Sequence, residues 1–210
     1  RRIRRAIAVL PDVEVAIRQL TKDGSEGIIL DLRNNPGGLV TSALDVAGLF
    51  MNADEHPTVF SVSGRGTDGN GSEDVKLDGN ARALSNAPMA VLVNGQSASA
   101  SEILAGALKD NARAEVIGDS RTFGKARIQS VYELADGSGL VRDHSPALLL
   151  FMHSPAPLVH RQFVTVAKYL TPAGVDINKT GITPSMSCSV SDGSRSLQAS
   201  IPVAPGLLGA

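Results

Sequence analysis

Met89-Ala-Val-Leu-Val-Asn-Gly-Gln-Ser-Ala-Ser-Ala-Ser-Glu102, continued by Ile103, Leu104, Ala107 and Leu108 at helical spacing, decides the fold. The apolar run at 89–94 has the length of a buried strand, and the later apolar positions give a helix its core face. Strand, sharp turn and helix in this order resemble a nucleophile elbow in purpose, although no G-x-S-x-G is present. The first N–H groups of a helix have no intrahelical acceptor, so an oxyanion forming there meets donors already in place. Ser97, Ser99 and Ser101 all lie at this helix start. Their plain reading is an N-cap and two polar turn residues. Physics alone does not choose among the three hydroxyls.

A serine hydroxyl is a weak nucleophile until a base activates it. Thr122-Phe-Gly-Lys125 supplies a candidate, because a lysine in apolar company is biased toward the neutral amine. Phe123, Gly124 and Ala126 are the expected shielding neighbours. The same stretch fails as a phosphate loop: five residues separate Gly118 from Gly124, and Ala126 stands where a magnesium-binding hydroxyl belongs. Asn34-Asn-Pro-Gly-Gly38 reads as a strand-to-helix turn whose glycines let a backbone N–H approach a reacting carbonyl. His56, His144, His153 and His160 match no metal-ligand spacing, and nothing singles one out for a serine–histidine–aspartate triad.

Outward from these stretches, Val13, Ala16, Ile17 and Leu20 recur at helical spacing, with Gly24 as a stop. Gly27-Ile-Ile-Leu-Asp-Leu32 reads as a fully buried strand running into the 33–38 turn. Leu39 to Met51 reads as an amphipathic helix with Leu44, Ala47 and Gly48 on one face and Val40 near it. Strands are expected at 58–62, 115–118, 127–134 and 163–169, and a surface loop at 64–74. Strands alternating with helices imply parallel βαβ units in the first two thirds, and the last third is richer in strands.

The chain has 210 residues, enough for one substantial domain with a sizeable core. A net charge of −1 disfavours a nucleic-acid surface, and 3% aromatic content with no Trp disfavours base-stacking platforms. Cys188 is the lone cysteine, so neither an internal disulfide nor a thiolate cluster forms. No apolar run has the length of an integral membrane segment. Arg1-Arg-Ile-Arg-Arg5 with Ala6–Leu10 is too brief for a secretory leader. The absence of an initiating Met marks a fragment or a processed chain.

Several ordered blocks together resemble the C-terminal processing, or tail-specific, serine peptidases. They are Gly27-Ile-Ile-Leu-Asp-Leu-Arg-Asn-Asn-Pro-Gly-Gly38, Val91-Leu-Val-Asn94, Ser97 through Asp110 and Thr122-Phe-Gly-Lys-Ala-Arg-Ile-Gln-Ser130. Weaker agreement returns at Val166–Pro172 and Gly181–Pro184. The resemblance implies an α/β, ClpP/crotonase-like core of βαβ units with a β-rich C-terminal part. It implies a Ser/Lys endopeptidase that cleaves proteins or peptides with a free C-terminus, without metal or cofactor. By the family pattern Ser99 is the nucleophile, Lys125 the general base and Gln129 the residue that orients the lysine. Ala100, with Gly37 or Gly38, forms the oxyanion hole, and Asp110 gives structural support.

Departures from the family pattern shape the rest of the reading. The PDZ domain that normally precedes the core has no room here. Residues 1–26 are a helical lead-in, 27–140 the peptidase core, 163–190 its C-terminal strands and 191–210 a flexible tail. Ser99 and Lys125 are about one residue further apart than usual, absorbed at Asp119-Ser-Arg121. Residues 141–162 read as an insertion, either translated intron or gene-model error on one side, or a designed loop on the other. A plastid, specifically the thylakoid lumen, is the implied home, with the bacterial cell envelope as alternative. Two rival functions remain: a catalytically idle ligand- or peptide-binding module of the same fold, and a truncated inactive product.

Overall fold

The computed structural model describes residues 9–64, 72–133 and 161–188. In chain order its elements are α1 (Val9–Lys22), β1 (Ile28–Asp31), α2 (Val40–Gly48), β2 (Thr58–Gly64), β3 (Ser72–Lys76), β4 (Met89–Val93), α3 (Ala100–Asp110), β5 (Glu115–Gly118), β6 (Arg127–Glu133), β7 (Arg161–Leu170) and β8 (Met186–Ser187). Two four-stranded sheets result. One is parallel, in the order β1-β4-β5-β8, and the other is antiparallel, in the order β3-β2-β7-β6.

The α/β architecture expected from the sequence is therefore present, with the parallel strands β1, β4 and β5 in register through Leu30↔Val91 and Val91↔Val116. Met89, Val91 and Val93 of β4 are buried at period two, which fixes the register because a one-residue slip would turn them to the opposite face. Helix α3 packs against α2, β2 and β5, touching both sheets, and every residue from Ala100 to Leu108 is buried. The expected core positions Ile103, Leu104, Ala107 and Leu108 are among them. The site below hangs on the first turn of this central helix.

Three expectations change. β1 is not fully buried: among the described residues it pairs with β4 alone, an edge place in the sheet, and Ile29 is 71% exposed. An apolar tetrapeptide looks the same from its sequence whether it has one neighbouring strand or two. The buried face of α2 is Ala43, Val46 and Ala47, with Leu44, Gly48 and Val40 only half-buried or flanking it. The polar stretch expected as a loop through Asp74 becomes strand at Ser72, because Val62↔Glu73 and Ser61↔Asp74 pair main chain to main chain whatever the side chains are.

α1 spans the predicted apolar positions, and Gly24 closes it at φ +72°. β7 begins at Arg161, two residues inside the expected insertion; residues 134–160 and 189–210 lie outside the described residues, and with them most of that insertion and the tail. No helix among the described residues is long and apolar enough to cross a membrane.

The central place of α3 gives a stability contrast. Leu108, with no exposed surface, should lose about 2–5 kcal/mol on Leu108→Ala. Val15, 67% exposed on α1, should change by no more than about 0.5 kcal/mol on Val15→Ala. Urea unfolding midpoints at equal slope measure both.

Candidate active site

The turn between β4 and α3 is held against the loop that follows β1. Leu32 continues the pairing through its N–H to Leu92 O at 2.9 Å, and Ala98 N–H donates to Asn35 O at 3.0 Å. Asn34 and Asn94 close the gap reciprocally: Asn94 Oδ1 accepts the Asn34 N–H at 3.0 Å while Asn94 Nδ2 donates to Asn34 Oδ1 at 2.9 Å. Both loops stand at the C-terminal ends of parallel strands, where open α/β sheets place their crevices.

The three serines separate by environment. Ser97 has no exposed surface; its Oγ donates to Leu32 O at 2.8 Å and accepts the Asn94 N–H at 3.0 Å, so its hydroxyl is committed to the turn. Ser101 is buried within the first turn of α3. Ser99 is half-buried and sits at φ +56°, ψ −120°, a conformation that side chains rarely adopt. A non-glycine residue held there at a helix start is a signature of function more than of stability.

Glu102 organises the surroundings of Ser99. Its side chain is fully buried, and its carboxylate accepts four hydrogen bonds. One oxygen takes Thr122 Oγ1 at 2.5 Å and Gly124 N–H at 2.7 Å; the other takes Ser99 N–H at 2.8 Å and Lys125 N–H at 2.8 Å. The backbone nitrogens of Ser99 and Lys125 are thus both bonded to one oxygen atom. Twenty-six positions apart in sequence, the two residues are neighbours in space.

Tyr169 of β7 lies on the carbonyl side of the same pair. Its hydroxyl donates to Lys125 O at 2.6 Å and lies 3.2 Å from Ser99 O. Burial, with the Glu102 charge nearby, pushes its ionisation well up, so the phenol keeps its proton. The ring meets Phe60 of β2 edge-on at 6.2 Å between centroids.

Lys125 is half-buried, and among the described residues no carboxylate or carbonyl bonds its Nζ. No hydrogen bond joins that Nζ to Ser99 Oγ; the two residues are brought together through their main chains. Catalytic hydrogen bonds are often long before substrate binds. Phe123 is half exposed, so it does not shield the lysine as expected. Ala126 is fully buried. Gln129 lies on β6 opposite Thr165, and its side chain is outside the described residues.

Among the described residues, no acceptor meets the N–H of Ala100 or of Gly38. The Gly37 N–H, by contrast, is engaged by Asn35 Oδ1 at 3.0 Å. Gly37 stands at φ +92°, and a Cβ built on it falls 2.7 Å from Ala100 N, 2.5 Å from Ala98 O and 2.9 Å from Ser99 Cβ. Only glycine fits there. Asp110 ends α3 and accepts the Ala173 N–H at 3.0 Å, tying the turn after β7 to the helix.

Glu102, Tyr169 and the Asn34–Asn94 pair carry no role in the sequence reading. A signal for the first was present: Ser99-x-x-Glu102 is the spacing of a capping box, whose glutamate reaches back to the N-cap N–H. For Tyr169, seventy residues beyond Ser99, no local pattern exists.

Comparison with known proteins gives the class of protein first. The profile of peptidase family S41 matches residues 8–149, and the chain belongs to that family. More particularly, it is 43% identical over 173 residues to a carboxyl-terminal-processing protease of Synechocystis sp., and 43% identical over 178 residues to the chloroplastic carboxyl-terminal-processing peptidase 3 of Arabidopsis thaliana. These alignments cover 82% and 85% of this chain but 33% and 29% of the relatives. Among solved structures, a photosystem II D1 C-terminal processing protease superposes with a TM-score of 0.67 at 36% identity, covering 88% of this chain and 40% of that one. The chain spans about a third of the length of its curated relatives.

The four-donor carboxylate makes a sharp prediction. Glu102→Gln keeps the shape but turns an amide toward N–H and O–H donors that need acceptors. Stability should fall by about 3 kcal/mol or more, read from urea unfolding; an unchanged midpoint would show that the cradle tolerates a donor.

Proposed function

We propose that this chain is the catalytic core of a serine endopeptidase that cleaves protein substrates near their free C-termini, with Ser99 as nucleophile and Lys125 as base. The observation that carries the reading is the shared Glu102 oxygen, which holds Ser99 and Lys125 side by side at the start of α3. The relatives named as carboxyl-terminal-processing proteases support the choice of substrate end.

In this reading Ser99 Oγ attacks the scissile carbonyl carbon as its proton passes to the Lys125 amine. The carbonyl oxygen becomes an oxyanion facing the unengaged N–H groups of Ala100 and Gly38. Gly37, whose own N–H is occupied, contributes the empty space before Ala100 rather than a donor. The tetrahedral intermediate then collapses, expelling the amine of the C-terminal fragment, which takes the proton from Lys125. A water attacks the acyl-serine with Lys125 again as base, which frees the new carboxyl end. Gln129 orients the lysine from β6. Chloroplastic and cyanobacterial relatives support a plastid or bacterial site of action, with the thylakoid lumen as the proposed compartment.

A fluorophosphonate probe followed by peptide mapping tests the assignment. The label should fall on Ser99, and both Ser99→Ala and Lys125→Met should reduce cleavage of a quenched peptide with a free apolar C-terminus to background. Cleavage that survives either change would sink the dyad. Gly37→Ala places a methyl group against Ala100 N, so kcat should fall about 10²–10³-fold, as for loss of an oxyanion donor. Full activity in that variant would move the oxyanion elsewhere.

A further inference from the structure

We infer that Tyr169 is a positioning residue for the reaction, its hydroxyl bonding the Lys125 carbonyl and lying against that of Ser99 while Glu102 clamps the amides of both. The inference rests on the Ser99/Lys125 reading above and adds to it a group from the other sheet. Glu102 fixes the amide side of each residue, and the Glu102 and Ile103 N–H groups hold Ser99 O as well, but neither holds Lys125 O, so the peptide plane after Lys125 is left free to rotate. A second contact on the carbonyl side removes the rotation. Tyr169 makes it at 2.6 Å to Lys125 O and 3.2 Å to Ser99 O, and its own N–H donates to Ala126 O at 2.9 Å, so β7 is bonded to the residue after the lysine as well.

The chemistry of the group suits this task. A phenol that stays protonated is a permanent donor, and its one proton goes to Lys125 O, since Ser99 O already accepts the Glu102 and Ile103 N–H groups at 2.8 and 3.0 Å. Its aim is fixed by the edge-on contact with Phe60 and by burial that leaves 2% of the residue exposed. Tyr169 reaches the reacting atoms only through main-chain carbonyls, so it acts through Ser99 and Lys125 and not on substrate.

The test uses the full chain, a quenched peptide with a free apolar C-terminus, and a fluorophosphonate probe. Tyr169→Phe retains the ring and removes only the hydroxyl. Its kcat and its rate of Ser99 labelling should fall together, by about 10- to 100-fold, with KM unchanged. Val13→Ala is the control: it empties part of the core under α1, which packs on α2, and lowers the unfolding temperature while leaving the Tyr169 ring and hydroxyl and the Phe60 contact in place, so kcat should hold. Both are assayed well below their unfolding midpoints. Wild-type kcat and labelling in Tyr169→Phe would overturn the inference, as would a loss of kcat in Val13→Ala matching its loss of stability. A wild-type chain that resists labelling at Ser99 would instead overturn the Ser99/Lys125 reading itself, a distinguishable failure.

Discussion

A carboxylate with no exposed surface, Glu102, is the constraint on which the site depends. An ionised carboxyl group taken from water into a protein interior is costly unless donors replace its hydration. Four donors do so here, and each charge-assisted hydrogen bond contributes about 1.5–3 kcal/mol. Its place in the first turn of α3 adds the favourable end of the helix field. The arrangement also dictates the conformation of its donors. Gly124 turns its N–H inward at φ +84°, where a Cβ would run into Gly181 N and Ile177 O, so the residue before Lys125 is confined to glycine. Thr122, whose hydroxyl donates its hydrogen bond to Glu102, accepts the Ile182 N–H at 2.7 Å and thereby ties in the segment leading to β8.

The backbone of Ser99 is the strained member of this assembly. A serine at φ +56°, ψ −120° costs about 1–3 kcal/mol relative to an ordinary conformation. It persists because its N–H is held by Glu102, its carbonyl is approached by Tyr169, and Gly37 is packed against its Cβ. The benefit is directional. A chain leaving β4 must turn and start α3 within a few residues, and a single unusual backbone angle lets it do so without burying the hydroxyl. Ser97 shows the opposite choice two positions earlier, where the hydroxyl is consumed in stabilising the turn.

Much of this was legible in the residues. The parallel strands, the central helix and the two stretches bearing Ser99 and Lys125 follow from apolar periodicity and turn chemistry. What escaped has a common physical cause: it depends on how many neighbours an element acquires. Ile29 looks like a core residue until β1 proves to be an edge, and Ser72 to Asp74 look like a loop until β2 offers a pairing partner. Chemistry pairs the serine cluster with Lys125 and only the family pattern picks Ser99 from it, yet the group that holds the two residues together, Glu102, is visible in the sequence only as a capping spacing. Tyr169 was beyond reach altogether, because its role arises from two sheets meeting around α3.

Glu102 and Tyr169 both grip Ser99 and Lys125 by the main chain, and this distribution of contacts bears on how such a site can work. In the reaction proposed above, a nucleophile that must lose a proton, bond to carbon and later release an acyl group needs a side chain free to change partners at each stage. A base that takes a proton and returns it to a different atom has the same need. Hydrogen bonds spent on Oγ or Nζ would have to be broken during the cycle, and each would add to the barrier. Fixing the backbone of the two residues at one carboxylate oxygen instead brings their main chains together while spending no hydrogen bond of that carboxylate on Oγ or Nζ. The rigidity resides in a buried carboxylate and a buried phenol, neither of which exchanges a proton in the reaction.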